Sequence, residues 1–169
     1  MHRESPFLFV NYRSGDQPWA AVILDQALSG RFGENAVFLD NRSMPPGTEF
    51  DKTLLVAVRR STVLLVVVGD RWEAASDPHG NRRIDSRQDW VRREIVAAFS
   101  AGTTVVPVLI DETPLLRAET LPSSIRRLAA CQYIRLRHRD ARQDLANLLQ
   151  WMSELIDGAT PSDGLDFSA

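Results

Sequence analysis

Trp90 and Glu94 stand four residues apart in a stretch with helical patterning, a spacing that brings both side chains onto one helix face. Val91, Ile95 and Ala98 mark the core-facing stripe of that stretch, so Glu94 is expected at its edge, half in and half out. A carboxylate beside an indole in a cleft can act on a substrate. The same carboxylate can pair with an arginine on a solvated helix edge, and Trp90 can simply pack; spacing leaves these readings open.

Other chemistries are harder to build from this chain. Of 20 lysines and arginines only Lys52 is lysine, and no glycine-rich run precedes it, so a Schiff-base lysine and a P-loop are close to excluded. The first apolar run is not followed by Gly-x-Gly-x-x-Gly, which argues against a nicotinamide held as a redox cofactor, and a Gly-x-Ser-x-Gly elbow is absent. A response-regulator reading needs paired acids after the first strand, where this chain has Asn11-Tyr12-Arg13. His2, His79 and His138 lie far apart without ligand-like spacing, and Cys131 is the single cysteine, so neither a metal cluster nor an internal disulfide is expected. One cysteine fits a reducing, cytoplasmic compartment. Met1 to Pro6 lack a signal-peptide pattern and the longest apolar runs are strand-length, so no membrane partner is expected. A net charge of −2 gives no electrostatic case for nucleic acid.

The elements that must position Glu94 follow from periodicity. At 169 residues, 44% hydrophobic and 25% charged, the chain suits one domain able to bury its own core. Phe7–Val10 predicts a strand, followed by a loop and a helix from Pro18 to about Phe32, with Asp16 as its N-cap and Trp19, Val22, Ile23, Ala27 and Leu28 at helical spacing. Ala36–Leu39 predicts a second strand. It runs into Asp40–Gly47, where two prolines and a glycine forbid regular structure.

Thr48 and Asp51 suit the start of a helix through Arg60, and Val63–Val68, apolar without alternation, predicts a strand buried on both faces. Gly69 to Asp89 is a long polar connection of the kind that is more often functional or mobile than idle. A helix is expected at Trp90–Ala101, ended by Gly102, then a strand at Val105–Ile110 in which Pro107 is a departure, since proline favours strand edges. A short helix at Ser123–Ala130, a small strand at Gln132–Arg135, and an amphipathic helix from Asp140 to Gly158 complete the pattern; Leu145, Leu148, Leu149, Met152, Leu155 and Ile156 form the last helix's stripe. Residues 1–6 and 158–169 read as an N-terminal extension and a polar tail or linker around a domain at 7–157. Five strands alternating with helices call for an open α/β sandwich, a five-stranded parallel sheet with helices on both faces. Ligands then bind beyond the strands' carboxyl ends.

Five blocks in order carry a resemblance. They are Phe7-Leu8-Phe9-Val10-Asn11-Tyr12-Arg13; Val37-Phe38-Leu39-Asp40 with Pro45-Pro46-Gly47; Val67-Val68-Gly69-Asp70-Arg71-Trp72; Asp89-Trp90-Val91-Arg92-Arg93-Glu94-Ile95; and Val106-Pro107-Val108-Leu109. Together, over about residues 6 to 157, they resemble a bacterial TIR domain. Asn11 stands where that family's opening motif has serine, and Asp89 where serine is often seen before the tryptophan. The resemblance implies a flavodoxin-like fold with sheet order 2-1-3-4-5 and, as in many members, NAD+ glycohydrolase activity with NAD+ as substrate rather than cofactor and no metal. The family's catalytic glutamate falls at Glu94.

A single carboxylate is enough for that reaction. Ordinary glycosidases use a second acid to protonate a poor leaving group, whereas the nicotinamide of NAD+ is cationic and leaves as a neutral base. Glu94 would stabilise the oxocarbenium ion and meet the ribose hydroxyls. Tyr12, Trp72 and Trp90 are candidate substrate contacts, the rings of Tyr12 and Trp72 for stacking on nicotinamide or adenine, and Arg13 is the candidate for the diphosphate. Tyr12 and Trp72 read equally well as packing, and Asp40 is a further candidate that either touches the ligand or, the favoured reading, orients the loop that follows it. Ser43, Met44, Pro45, Pro46 and Gly47 resemble the family's BB loop, through which such domains dock on one another. Other TIR domains, and a sensor domain or subunit, are therefore implied partners, with self-association as the activating step and anti-phage defence as the analogous setting. The alternatives are a non-catalytic TIR–TIR signalling module and a nucleoside hydrolase or deoxyribosyltransferase-like enzyme on a similar sheet.

Overall fold

The computed structural model describes residues 7–39 and 50–158. Asp40, Ser43, Met44, Pro45, Pro46, Gly47 and Thr48, singled out above, lie outside the described residues, as do 1–6 and 159–169.

The apolar runs form strands β1 (Leu8–Asn11), β2 (Val37–Leu39), β3 (Val63–Val68), β4 (Thr104–Ile110) and β5 (Ile134–Leu136). They pair in parallel as one sheet in the order β2-β1-β3-β4-β5, the flavodoxin-like arrangement. Helices α1 (Pro18–Phe32), α2 (Phe50–Arg60), α3 (Trp90–Ala101) and α4 (Ala141–Asp157) flank it. Alternate strand residues face opposite sides. Phe9, Leu64, Val66 and Leu109 pack under α2 and α3 with Leu54, Val58, Val91 and Ile95. Leu8, Val10, Leu65 and Val108 pack under α1 and α4 with Leu24, Leu28, Leu148 and Met152. Every residue of β3 is buried, as its unalternating sequence requires.

Several local expectations are corrected. Asp16 does not cap α1; Gln17 occupies that position in the left-handed region at φ 52°, while both Asp16 carboxylate oxygens are used elsewhere. Val22 is exposed, and Ala20, Ala21, Leu24 and Leu28 form the buried stripe of α1, because the helix is rotated to set its small residues against the sheet. Ala36 belongs to a 3-10 turn before β2, and β5 is shifted to Ile134–Leu136. Asp140 makes no side-chain cap to α4; Asp144, one turn on, accepts from the Arg137 backbone N–H at 2.8 Å instead. Pro107 is not on an edge strand, since β4 lies between β3 and β5. Its pairing with β5 begins only at Val108, so Pro107 sits where β4 has β3 alone as neighbour and the missing N–H is tolerated.

The long connection from Gly69 to Asp89 is ordered by its own hydrogen bonds. A bridge joins Ser76 to Arg82, and Arg82 reaches Asp85, Glu73 and the Thr120 carbonyl. At its start Gly69 is required by close approach: a Cβ there would collide with Gln17 Cγ and come within 2.5 and 2.8 Å of the two Asp16 carboxylate oxygens. Gly69→Ala is therefore expected to cost about 1–3 kcal/mol by overpacking. A lowered urea midpoint would bear this out, and an unchanged one would contradict it.

Candidate functional site

The carboxyl end of β1, an interior strand, and the first turns of α3 meet where the strands end. Asn11, the last residue of β1, donates from Nδ2 to Glu94 Oε2 at 2.5 Å and to the Val91 carbonyl at 3.3 Å. Both Asn11 and Glu94 are 0% exposed. A desolvated carboxylate is costly without donors, and this amide supplies a short one. The expectation of a half-exposed Glu94 is thus corrected. Ala97 is buried as well as Val91, Ile95 and Ala98, so the buried stripe extends past Glu94 on both sides and encloses it.

Two residues further along, Arg13 forms a two-pronged ion pair with Asp89, Nη1 to Oδ1 at 2.8 Å and Nη2 to Oδ2 at 3.0 Å. The two side chains are 4% and 5% exposed. Asp89 is also the N-cap of α3, accepting from the Arg92 backbone N–H at 3.1 Å. The start of α3 is therefore fastened to the end of β1 twice, through Asn11–Glu94 and Arg13–Asp89.

A third fastening lies alongside. Asp16 accepts from the backbone N–H groups of Gly69 at 2.8 Å and Arg71 at 3.1 Å, joining the loop after β1 to the loop after β3. Burial raises its pKa above the usual carboxylate value, opposed by those two N–H donors. Gln17 continues the seam, donating to Asp70 Oδ1 at 3.2 Å and accepting from Trp19 Nε1 at 2.7 Å.

The structure thus brings Glu94 and Arg13 to the carboxyl end of β1, with Trp90 at the start of the same helix as Glu94. Trp90 is half-buried, with the Arg93 guanidinium 4.1 Å from its ring centroid. The Arg13 fork is filled by Asp89 rather than open to a diphosphate. Trp72 is wholly buried in the core under α2 and α3, so its ring presents no face to a ligand in this arrangement. Tyr12 is half-buried and packs against the opposite core. Sequence reasoning missed Asn11 as the donor to Glu94 and Asp16 as a cross-loop tie. The available signal was a lone amide ending an otherwise apolar strand, since a polar group there must find a partner. Among the described residues, no cluster of His, Cys, Asp and Glu could hold a metal ion, and no helix is long and apolar enough to cross a membrane.

Comparison with known proteins adds the following. A family model described as TIR domain matches residues 8–149. The chain is 28% identical over 123 residues to the NAD(+) hydrolase sarm1 of Drosophila melanogaster, a match covering 72% of this chain and 8% of that relative's length. Among solved structures, the TIR domains of the activated Roq1 resistosome recognizing the effector XopQ superpose with a TM-score of 0.59 at 16% identity, covering 89% of this chain and 98% of that one. The TIR domain of the Toll-related receptor TRR-2 from Hydra magnipapillata gives 0.52 at 16% identity, covering 88% and 96%. At such identities these two likenesses speak to the fold.

Proposed function

The chain belongs to the TIR-domain family, and from that premise we propose that it is an NAD+ glycohydrolase of the bacterial type, cleaving the nicotinamide–ribose bond. The observation that carries this reading is a desolvated carboxylate, Glu94, set by the Asn11 amide at the carboxyl end of β1, in a chain 28% identical over 72% of its length to an NAD(+) hydrolase.

The C1′–N bond breaks with its electron pair going to nicotinamide, which leaves neutral. The ribose becomes an oxocarbenium ion, and Glu94 supplies the opposing charge without competition from bulk water. Water attack at C1′, with loss of a proton, gives ADP-ribose; attack by a nitrogen of the adenine gives a cyclic isomer. Trp90 is the aromatic neighbour on the same helix face. Arg13 acts in this scheme through Asp89, as a positioning residue for the start of α3, which revises its expected contact with the diphosphate.

With Glu94 wholly buried, substrate reaches it only through a local opening of the site. Docking of a second copy through Ser43–Gly47 is the step we assign to that opening, so the lone chain is a resting form. Nicotinamide release per unit protein should then climb as protein concentration rises. Strict proportionality from dilute to concentrated protein would sink the self-activation part of the reading.

The same burial favours one other reading, a non-catalytic TIR–TIR interaction module in which Asn11–Glu94 is only structural. Self-association without nicotinamide release at any concentration would select it.

A further inference from the structure

On the side of α3 turned away from Glu94 lies a cavity of about 450 Å³ between α2, α3 and the 3-10 helix at Ser123–Ala130. Four arginines line it, Arg59 of α2, Arg87 of the loop before α3, and Arg92 and Arg93 of α3, and among the described side chains no carboxylate does. In a chain of net charge −2, the guanidinium groups of Arg59, Arg87 and Arg92 gathered on one concave surface favour an anion there. Asp85 is near enough to feel Arg92, but its carboxylate is held by Arg82 at 2.8 and 2.9 Å.

Arg92 is oriented by neutral acceptors. Its Nε donates to Ser124 Oγ at 3.0 Å and its Nη1 to the Asp85 carbonyl at 2.7 Å, which fixes the guanidinium without cancelling its charge. Arg93 is braced against the Trp90 ring. Arg59 and Arg87 are exposed on the rim. The Ser123 and Ser124 hydroxyls add small donors at one end, while Leu55 and Val96 give an apolar wall. The volume falls in the range of small-ligand sites, roughly 300–1,000 Å³. Planar guanidinium forks match phosphate oxygens in pairs.

We propose that this cavity binds a small organic diphosphate of the nucleoside-diphosphate class, its phosphates on Arg59, Arg87 and Arg92 and its organic body along Leu55 and Val96. A pocket, rather than a basic stripe along the surface, suits a compact anion over an extended nucleic-acid strand.

Calorimetric titration of the wild-type chain with ADP, pyrophosphate, inorganic phosphate and a short single-stranded RNA tests this. ADP should bind most tightly, pyrophosphate next and phosphate least. The double variant Arg59→Glu with Arg87→Glu, both on the exposed rim, should weaken ADP by at least about tenfold while leaving the urea midpoint in place. The single variant Arg87→Glu gives an intermediate loss, and it serves alone if the double variant does not fold. ADP bound no more tightly than inorganic phosphate, ADP binding indifferent to these substitutions, or RNA binding without ADP binding would each overturn the proposal.

Discussion

Replacing Glu94 with glutamine is expected to lower NAD+ turnover by about 10²- to 10³-fold, the usual effect of removing one preorganised charge-stabilising group, equivalent to roughly 2.7–4 kcal/mol of transition-state stabilisation. The substitution is chosen for what it preserves. Glutamine has the same shape, and its carbonyl oxygen still accepts the Asn11 Nδ2–H bond seen at 2.5 Å. The fold should therefore survive, with a urea midpoint close to wild type, while the negative charge that opposes the oxocarbenium ion is gone. The fall belongs in kcat more than in KM, because the charge is matched to the transition state and not to the bound substrate. Turnover within about twofold of wild type would remove Glu94 from the chemistry.

The second large effect concerns the ion pair that holds α3 in place. Asp89→Ser keeps an oxygen able to cap the helix but strips the buried Arg13 guanidinium of its two-pronged partner. Leaving one member of a buried pair uncompensated costs about 3–5 kcal/mol, a large share of a typical domain's stability. Urea denaturation should show that loss, and adding Arg13→Met to Asp89→Ser should restore a good part of it, since removing both charges is far cheaper than removing one. A single Asp89→Ser loss under about 0.5 kcal/mol would mean that the pair behaves as a solvated one, despite side-chain exposures of 4% and 5%.

Most of the architecture was legible because it depends on patterns that local sequence carries. Val63–Val68, without a polar residue, could only be a strand covered on both faces. The end of α3 followed from Gly102, which takes the left-handed conformation at φ 73°. The errors fall where long-range partners decide. Asp16 has the residue type of an N-cap, yet its oxygens serve Gly69 and Arg71, more than fifty residues away in the chain. No local rule could find that tie; the glycine opposite it was visible, but not the reason for it.

The site divides in the same way. Helical spacing joined Trp90 to Glu94, and motif order pointed to the glutamate. Its depth was misjudged because the stripe was counted from Val91, Ile95 and Ala98 while Ala97, small and equally buried, was left out. Arg13 and Trp72, as residues following strand ends, were candidates to face a substrate, with packing the equal reading for Trp72. Arg13 is instead occupied by Asp89, and Trp72 is covered on all sides. Both outcomes depend on partners from distant segments.

The central claim is that this fold breaks the nicotinamide–ribose bond, and incubating the concentrated wild-type chain with NAD+ while separating the products by chromatography tests it most directly. The account predicts nicotinamide and ADP-ribose, or its cyclic isomer, in equal amounts, formed faster per molecule as the protein is concentrated. NAD+ left intact at every concentration, by protein shown to be folded, would contradict it.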